Sequence, residues 1–390
     1  MTINKTSGQT LSFKDDIEEE FGPNPGRSLG QYRREDPSRV SPFNPNGLLV
    51  NSSPEDSSLS NLPLDAGIPN NGEIKFSDFY GKKLNMVVDY YSGSQQVKQT
   101  SGANTMAASW RFANSPAKVK VVGGFRGKPS STLGGYNLSS TEWQGGKRVF
   151  VNVNKTIGGK NDGVIGDVAL RTGNWPSGTE LQVDVGASGK IYGGGGNGGN
   201  ASPGMQGSDG KPGKNGTSAL GIEYPAVITN NGIIRCGFAG GGGGSGAAND
   251  PSDKSDTDYG RSGGGGGGGA GLPAGSGGGG GSGGFNGPDP KNGSPGDAGN
   301  LNNGGDGGDA PSHEGANAGP GGAGGDINDA AAAGTTGTQG RPGVGYDAPG
   351  NGGQPGTNGR GVLYSTNSVQ QNSTFTGNSV GGGAQILAVN

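Results

Sequence analysis

Residues 259–285 read YGRSGGGGGGGAGLPAGSGGGGGSGGF, more than half of them glycine. Either this stretch is a slack tether or it is itself structure, and the fold of the whole chain turns on which. A flexible Gly/Ser linker carries no register. This half of the chain does: in GMQGSDGKPGKNG glycine stands at 204, 207, 210, 213 and 216, in GSPGDAG at 293, 296 and 299, and in GGQPGTNG at 353, 356 and 359. Glycine at every third position leaves one face bare on a polyproline-II-type helix, which has about three residues per turn. Such a helix makes no internal hydrogen bonds, so its N–H and C=O groups must find neighbours. Bare glycine faces let rods approach closely enough to bond amide to carbonyl, with Cα–H···O contacts in support. The sequence therefore predicts short rods folded back on one another, with a core made of backbone. Residues 263–269 and 277–281 read as two of the rods, and AGLPAGS (270–276) as the reversal between them.

Composition says the same from the other side. The chain has 390 residues, with 91 glycines, 24 prolines and only 28% hydrophobic residues, too little apolar material to give every segment a conventional core. Net charge is −3, so no positive field gathers nucleic acid or an anionic membrane, and neither nucleic-acid binding nor membrane insertion is expected. The start, MTINKTSGQTLSF, has no basic-then-apolar leader, which predicts synthesis in a cytoplasm without a signal peptide. One cysteine, Cys236, excludes an intrachain disulfide, and one histidine, His313, leaves almost no scope for zinc sites or nucleophile–histidine pairs. No enzyme, cofactor or metal is expected. GGDGGD (304–309) fits the opening of a calcium nonapeptide, but it occurs once and Pro311 stands where a large apolar residue is needed. GGFRGKPSS (123–131) lacks phosphate-loop spacing. The carboxylates at 250–258 read as loop acidity and not as a glycosidase pair.

Four regions follow. In residues 1–85 two phrases look alike, GQTLSFKDDI (8–17) and GEIKFSDFYG (72–81), each read as a short strand followed by a Ser or Asp at a helix N-cap. SFKDDIEEEFG adds an acidic first turn and a terminating Gly22, the signature of a short helix. The prolines between the phrases predict an extended segment. Over 86–187, AKVKVVGGF, KRVFVNVN and ELQVDVG alternate with period two between Gly- and Asn-rich turns, which predicts an antiparallel β-sandwich; Trp110, Trp143 and Trp175 read as its core. Residues 188–362 hold the rods and a hairpin predicted at EYPAVITNNGIIRCGF from its Asn-Gly turn. Residues 363–390 end in AQILAV, read as a docking terminal strand.

The rods must reverse often, and the interruptions differ from them in composition: AANDPSDKSDTDY (247–259), FNGPDPKN (285–292), DAPSHEGANA (309–318) and DINDAAAAGTT (326–336). Asp, Asn, Pro, an aromatic and the lone histidine suit exposed turns that hydrogen-bond polar ligands. The candidate binding residues are Asp250, Asp253, Asp256, Asp258, Tyr259, Arg261, Phe285, Asn286, Asp289, His313, Glu314 and Asn317.

GKIYGGGGNGG (189–199) followed by ITNNGIIRCGFAGGGGGSG (228–246) and further glycine tracts resembles the glycine-rich distal tail-fibre adhesins of T-even-like bacteriophages and related host-specificity proteins. SGQTLSFKDDIEEEFG (7–22) and NGEIKFSDFYGKKL (71–84) are similar to short N-terminal modules of phage tail proteins. The first resemblance implies an all-β chain with a polyglycine-II helix sandwich, extended N-terminal attachment segments and a short helix. It implies a virion receptor-binding protein whose rod-end loops contact a host surface receptor, an outer-membrane protein or a surface glycan. The second implies contact with other tail or baseplate proteins through Leu11, Phe13, Ile17, Phe21, Ile74, Phe76, Phe79 and Tyr80. A structural tail or baseplate component with a glycine-rich spacer is the alternative reading, and monomer and homotrimer both stay open.

Overall fold

The computed structural model describes residues 3, 5–18, 29, 69, 72–82, 86–92, 105–106, 117–123, 136–137, 148–173, 177–178, 180–203, 209–246, 262–282, 292–311, 318–326 and 350–387; over 86–150 and at Asn152 the description is of backbone.

The two look-alike phrases fold against each other. Neither begins as a strand: the first makes a turn of π-helix at Phe13–Glu18 and the second a 3-10 turn at Phe76–Phe79. The strand expectation fails because the alternation spans too few residues and its polar groups bond locally. Ser12 N–H donates to Asp16 Oδ2 at 2.6 Å and Asp15 N–H to Ser12 Oγ at 3.1 Å, while Lys75 N–H donates to Asp78 Oδ2 at 2.7 Å. The predicted Ser12 cap is therefore present. Ile3, Ile17 and Phe79 are buried together with Leu11, Phe13, Leu29 and Ile74 against them. Ile3 N–H bonds Lys82 O, Gly81 N–H bonds Ile3 O, and the Tyr80 hydroxyl donates to Gln9 O. The phrases are two halves of one small module.

The strands build a three-sided coil. In chain order they are β1 (Met86–Ser92), β2 (Thr105–Met106), β3 (Ala117–Gly123), β4 (Tyr136–Asn137), β5 (Arg148–Val153), β6 (Thr156–Gly158), β7 (Val168–Arg171), β8 (Glu180–Val185), β9 (Lys190–Tyr192), β10 (Ser218–Ile222), β11 (Ala226–Asn230), β12 (Ile233–Arg235), β13 (Val362–Tyr364), β14 (Thr374–Gly377) and β15 (Ala384–Ile386), with one short helix, α1 (Asn367–Gln371), before β14. Sheet orders are β14-β11-β8-β5-β1-β3, β12-β9-β6 and β15-β13-β10-β7, and β2 pairs with β4. From β5 to β14 successive strands visit the three main sheets in turn, and all pairs within those sheets are parallel except β1 with β3. This is a parallel β-helix, not the expected antiparallel sandwich. Period-two alternation between turns is common to both; what differs is whether a strand pairs with the next one or with its counterpart one coil later.

The core is a set of ladders up the coil. Val151, Val183 and Ile228 stack in register, as do Ile157, Ile191 and Ile234, and Leu170, Leu220 and Val362, all of them buried. The expected hairpin at 226–235 is instead a corner: Ile233 pairs with Lys190 of the preceding coil, and Gly232 stays outside the left-handed region that a type I′ reversal requires. Asn230 holds that corner, accepting from Gly232 N–H at 3.2 Å and donating to Asn378 O at 3.0 Å. The sheets cross the boundaries expected at 187 and 362, because the glycine-rich segments are insertions between the second and third sheets: Tyr192 runs into 193–203, 209–217 runs into Ser218, Arg235 runs into 236–246, and 350–361 runs into Val362.

Candidate functional site at the far end of the glycine bundle

The glycine-rich runs carry no strand ladder, yet their amides are paired with a strict step of three. Gly263, Gly266 and Gly269 donate to Ser202, Gly199 and Gly196; Gly264, Gly267 and Ala270 donate to Gly319, Gly322 and Gly325; Gly265, Gly268 and Gly271 donate to Ser294, Asp297 and Asn300. Run 262–270 thus turns a different residue to each of three neighbours. It also accepts from Gly241 and Gly244, from Gly275 and Gly278, and from Gly305 and Gly308, so six runs surround it. The contacts resolve into rows: 209–217, 193–203 and 273–282; then 350–361, 236–246, 262–270 and 292–300; then 318–326 and 303–311.

Glycine content follows position in these rows. Run 262–270 is enclosed on all sides, and all its residues are buried. A methyl built on Gly266 would overlap Gly241 O and come within 2.7 Å of its carbonyl carbon. At the edge, run 292–300 needs glycine only at 293, 296 and 299, the positions facing inward, and Ser294, Pro295, Asp297 and Ala298 are exposed. Where the runs separate, side-chain amides bridge the gap: Asn197 Oδ1 accepts from Ser276 N–H at 3.0 Å, Asn200 Oδ1 from Gly279 N–H at 2.9 Å, and buried Asn358 Oδ1 from Ala239 N–H at 2.9 Å. Asp306 and Asp309 of the calcium-like phrase are exposed, and their backbone carbonyls already accept from Asp297 and Ser294.

The end of the bundle away from the coil is sealed by hydroxyls. Ser202, Ser245 and Ser262 are buried there. Ser262 Oγ donates to Gly281 O at 2.6 Å and accepts from Gly293 N–H at 2.7 Å, closing three runs together. Asp209 Oδ1 accepts from Asn351 N–H at 2.6 Å beside them. Composition did not single out these residues; the signal was there in the serines that close glycine tracts, in GGGGGSG (240–246) and RSGGGG (261–266). Segments 247–261, 283–291 and 312–317 join the bundle at this end at both of their own ends. All the binding candidates from Asp250 to Asn317 fall in these segments and lie outside the described residues. Of the attachment candidates, Leu11, Phe13, Ile17, Ile74, Phe76, Phe79 and Tyr80 come together in the N-terminal module, with the Phe13 and Phe76 rings edge to face at 6.1 Å; Phe21 lies outside the described residues.

Burial pushes the Cys236 thiol up to about 11, which leaves it protonated and unreactive near neutrality. Arg171 and Glu223 form a part-buried ion pair, and Glu223 also accepts from Gly173 N–H at 2.9 Å, tying coil to coil. Among the described residues no group of three His, Cys, Asp or Glu is placed to hold a metal, and no helix is long and apolar enough to cross a membrane.

The family model described as phage tail fibre adhesin Gp38 matches residues 130–386, a span that takes in the coil from β4 to β15 and the whole inserted bundle. The chain belongs to the phage tail fibre adhesin family. As an adhesin of that family it is a receptor-binding protein of the virion tail. Among solved structures, the chain is similar to one in the crystal structure of the gp37–gp38 adhesin tip complex of the bacteriophage S16 long tail fiber, at 18% identity over 62% of this chain and 72% of that one, with a TM-score of 0.27. No curated protein matches.

Proposed function

We propose that this adhesin binds the host cell surface through the segments carried on the far end of the glycine bundle, and that it does so without catalysis. The observation that carries the reading is the joining of 247–261, 283–291 and 312–317 to one serine-sealed face of a bundle whose central glycines have no room for a side chain. Variation has nowhere to go inside such a bundle, while the connecting segments are free to change. The runs are read as polyglycine-II helices: the step of three in their bonding, with a different neighbour for each residue of the triplet, is what about three residues per turn produces. Asp250, Asp253, Asp256, Asp258, Tyr259, Arg261, Phe285, Asn286, Asp289, His313, Glu314 and Asn317 are the groups offered to a receptor, an outer-membrane protein or a surface glycan.

At the other end of the chain, the module of Ile3, Ile17 and Phe79 is the attachment point to another tail protein, as the S16 adhesin chain is named in complex with a second fibre protein. Its half-exposed Phe76 is the contact residue of choice, with exposure of 41% beside Phe13. The test exchanges residues 247–261 for the corresponding segment of a related adhesin and measures adsorption to a panel of hosts. A changed host range is the expected result, and unchanged adsorption would remove that segment from the binding surface. If purified protein neither binds cells nor blocks phage adsorption, the bundle is a structural spacer instead.

A further inference from the structure

The glycine bundle is joined to the coil by chain at one corner only, through Tyr192–Gly193, Thr217–Ser218, Arg235–Cys236 and Gly361–Val362. Four crossings at one corner, two of them with a glycine on one side, hold position better than direction. Beside the corner the loop after β6 braces runs 193–203 and 209–217, where Asn215 Nδ2 donates to Gly163 O at 3.3 Å and Thr217 Oγ1 to Lys160 O at 2.8 Å; farther across, turns at the near end of the bundle rest back on the coil. In one, Leu272 O accepts from Gly159 N–H at 2.7 Å, and the Leu272 side chain lies over Gly158. In the other, the turn at 300–303 that joins runs 292–300 and 303–311 meets Arg235, the last residue of β12.

Arg235 is an unusual choice for this place. Its guanidinium lies 4.6 Å from the ring centroid of Tyr192, its register partner on β9, and one terminal nitrogen donates to Leu301 O at 2.7 Å and reaches Asn302 Oδ1 at 3.5 Å. Its Nε is buried and has no hydrogen-bond partner among the described residues. Burial holds its pKa below the ordinary guanidinium value. A cation is thus kept here against a solvation cost, on a strand end where an apolar residue would pack at least as well. What arginine supplies and an apolar residue does not is a forked donor on a long, ring-stacked stem.

We infer that Arg235 is a positioning residue that props runs 292–300 and 303–311 against the coil and so fixes the direction in which the far-end segments face the host. The inference rests on the reading of the far end as the binding face. The prop acts on the edge of the bundle farthest from the corner. In Arg235→Met the stem still covers the Tyr192 ring and the orphaned donor is gone, so the fold is expected to persist while the prop is lost. Loss of one charge-assisted hydrogen bond raises the population of tilted bundles about tenfold or more.

The experiment compares three readouts for wild type and R235M: thermal melting of the purified chain, binding of that free chain to host cells, and the adsorption rate of virions carrying it. A free chain tumbles and finds the receptor in any orientation, whereas a chain held on a tail does not. Expected are an unchanged midpoint, unchanged cell binding by the free chain, and virion adsorption slowed about tenfold. Virion adsorption equal to wild type overturns the inference, and so does an equal loss in free-chain binding, which would put Arg235 in the binding surface or the general fold. Should R235M fail to fold, Arg235→Lys keeps charge and stem but not the fork, and adsorption between wild type and a strain lacking the adhesin is expected; full adsorption counts against the inference. A wild-type free chain that does not bind cells refutes the binding-face reading itself, an outcome separable from all of these.

Discussion

The coil and the bundle solve the same problem with opposite materials. In the coil, Val151, Val183 and Ile228 stack side chain on side chain, and the backbone pairs between strands as in any sheet. In the middle of the bundle, between the Cys236–Phe238–Ala270 cluster at its near end and the serines at its far end, backbone packs on backbone, so that Gly266 donates to Gly199, accepts from Gly278 and leaves no room for a methyl beside Gly241. The first is stabilised mainly by removing apolar area from water. The second relies on near-complete pairing of amides, because each glycine gives up more conformational freedom on ordering than any other residue. The difference teaches which substitutions each tolerates: the coil suffers from losing atoms, the bundle from gaining them.

The strongest way to break the contrast is Gly266→Val. It is expected to cost about 3 kcal/mol or more and to abolish protease resistance of 262–326 while the coil's own β-sheet circular dichroism persists; a fully folded variant would contradict backbone packing. Leu220→Ala, the mirror experiment, removes a buried member of the Leu170–Leu220–Val362 ladder and is expected to cost about 2–5 kcal/mol by thermal or urea unfolding. Ser262→Ala removes the hydroxyl that bridges Gly281 O and Gly293 N–H, leaving only their direct hydrogen bond at 3.1 Å, and should cost about 0.5–1.5 kcal/mol, seen as faster amide exchange confined to the far end.

The finest test compares two adjacent glycines. Gly278 would drive a methyl into Gly199 O, whereas a methyl on Gly279 meets only Asn200 Oδ1, at 3.6 Å. Gly278→Ala should destabilise the bundle clearly, and Gly279→Ala should change stability by no more than about 0.5 kcal/mol; equal effects would mean that the two glycines serve composition and not geometry. A smaller, separate effect concerns the N-terminal module. Burial pushes the Asp16 carboxyl up, but Lys5 at 2.7 Å and the Ser12 amide outweigh it and hold it below the usual carboxylate value. Its contribution is therefore present above the ordinary carboxylate range and lost as pH falls through the lowered value; Lys5→Met should shrink that acid dependence in a melting-versus-pH series.

The bundle was legible because its rule is local: a bare face every third residue shows in the sequence as glycine every third residue, and an enclosed run shows as unbroken glycine. The coil was not legible, because the partner of Val183 is Ile228 rather than a neighbour across a turn, and nothing in ELQVDVG or ITNNGII states that distance. Asn231-Gly232 looked like a reversal for the same reason; the corner is made by Asn230 bonding to Asn378, far along the chain. The insertion of the bundle between sheets was hidden until the strands flanking each glycine tract found their places in the coil. Arg235 is one letter in IIRCGF, and only the turn at 300–303 gives it a task.

Amide hydrogen exchange of Gly263–Gly269, set beside that of Val183 and Ile228, tests the central claim most directly. If this stretch of glycine is scaffold, its amides exchange slowly, with protection approaching that of the coil's core strands. Exchange at the rate of an unstructured chain would make it a tether after all.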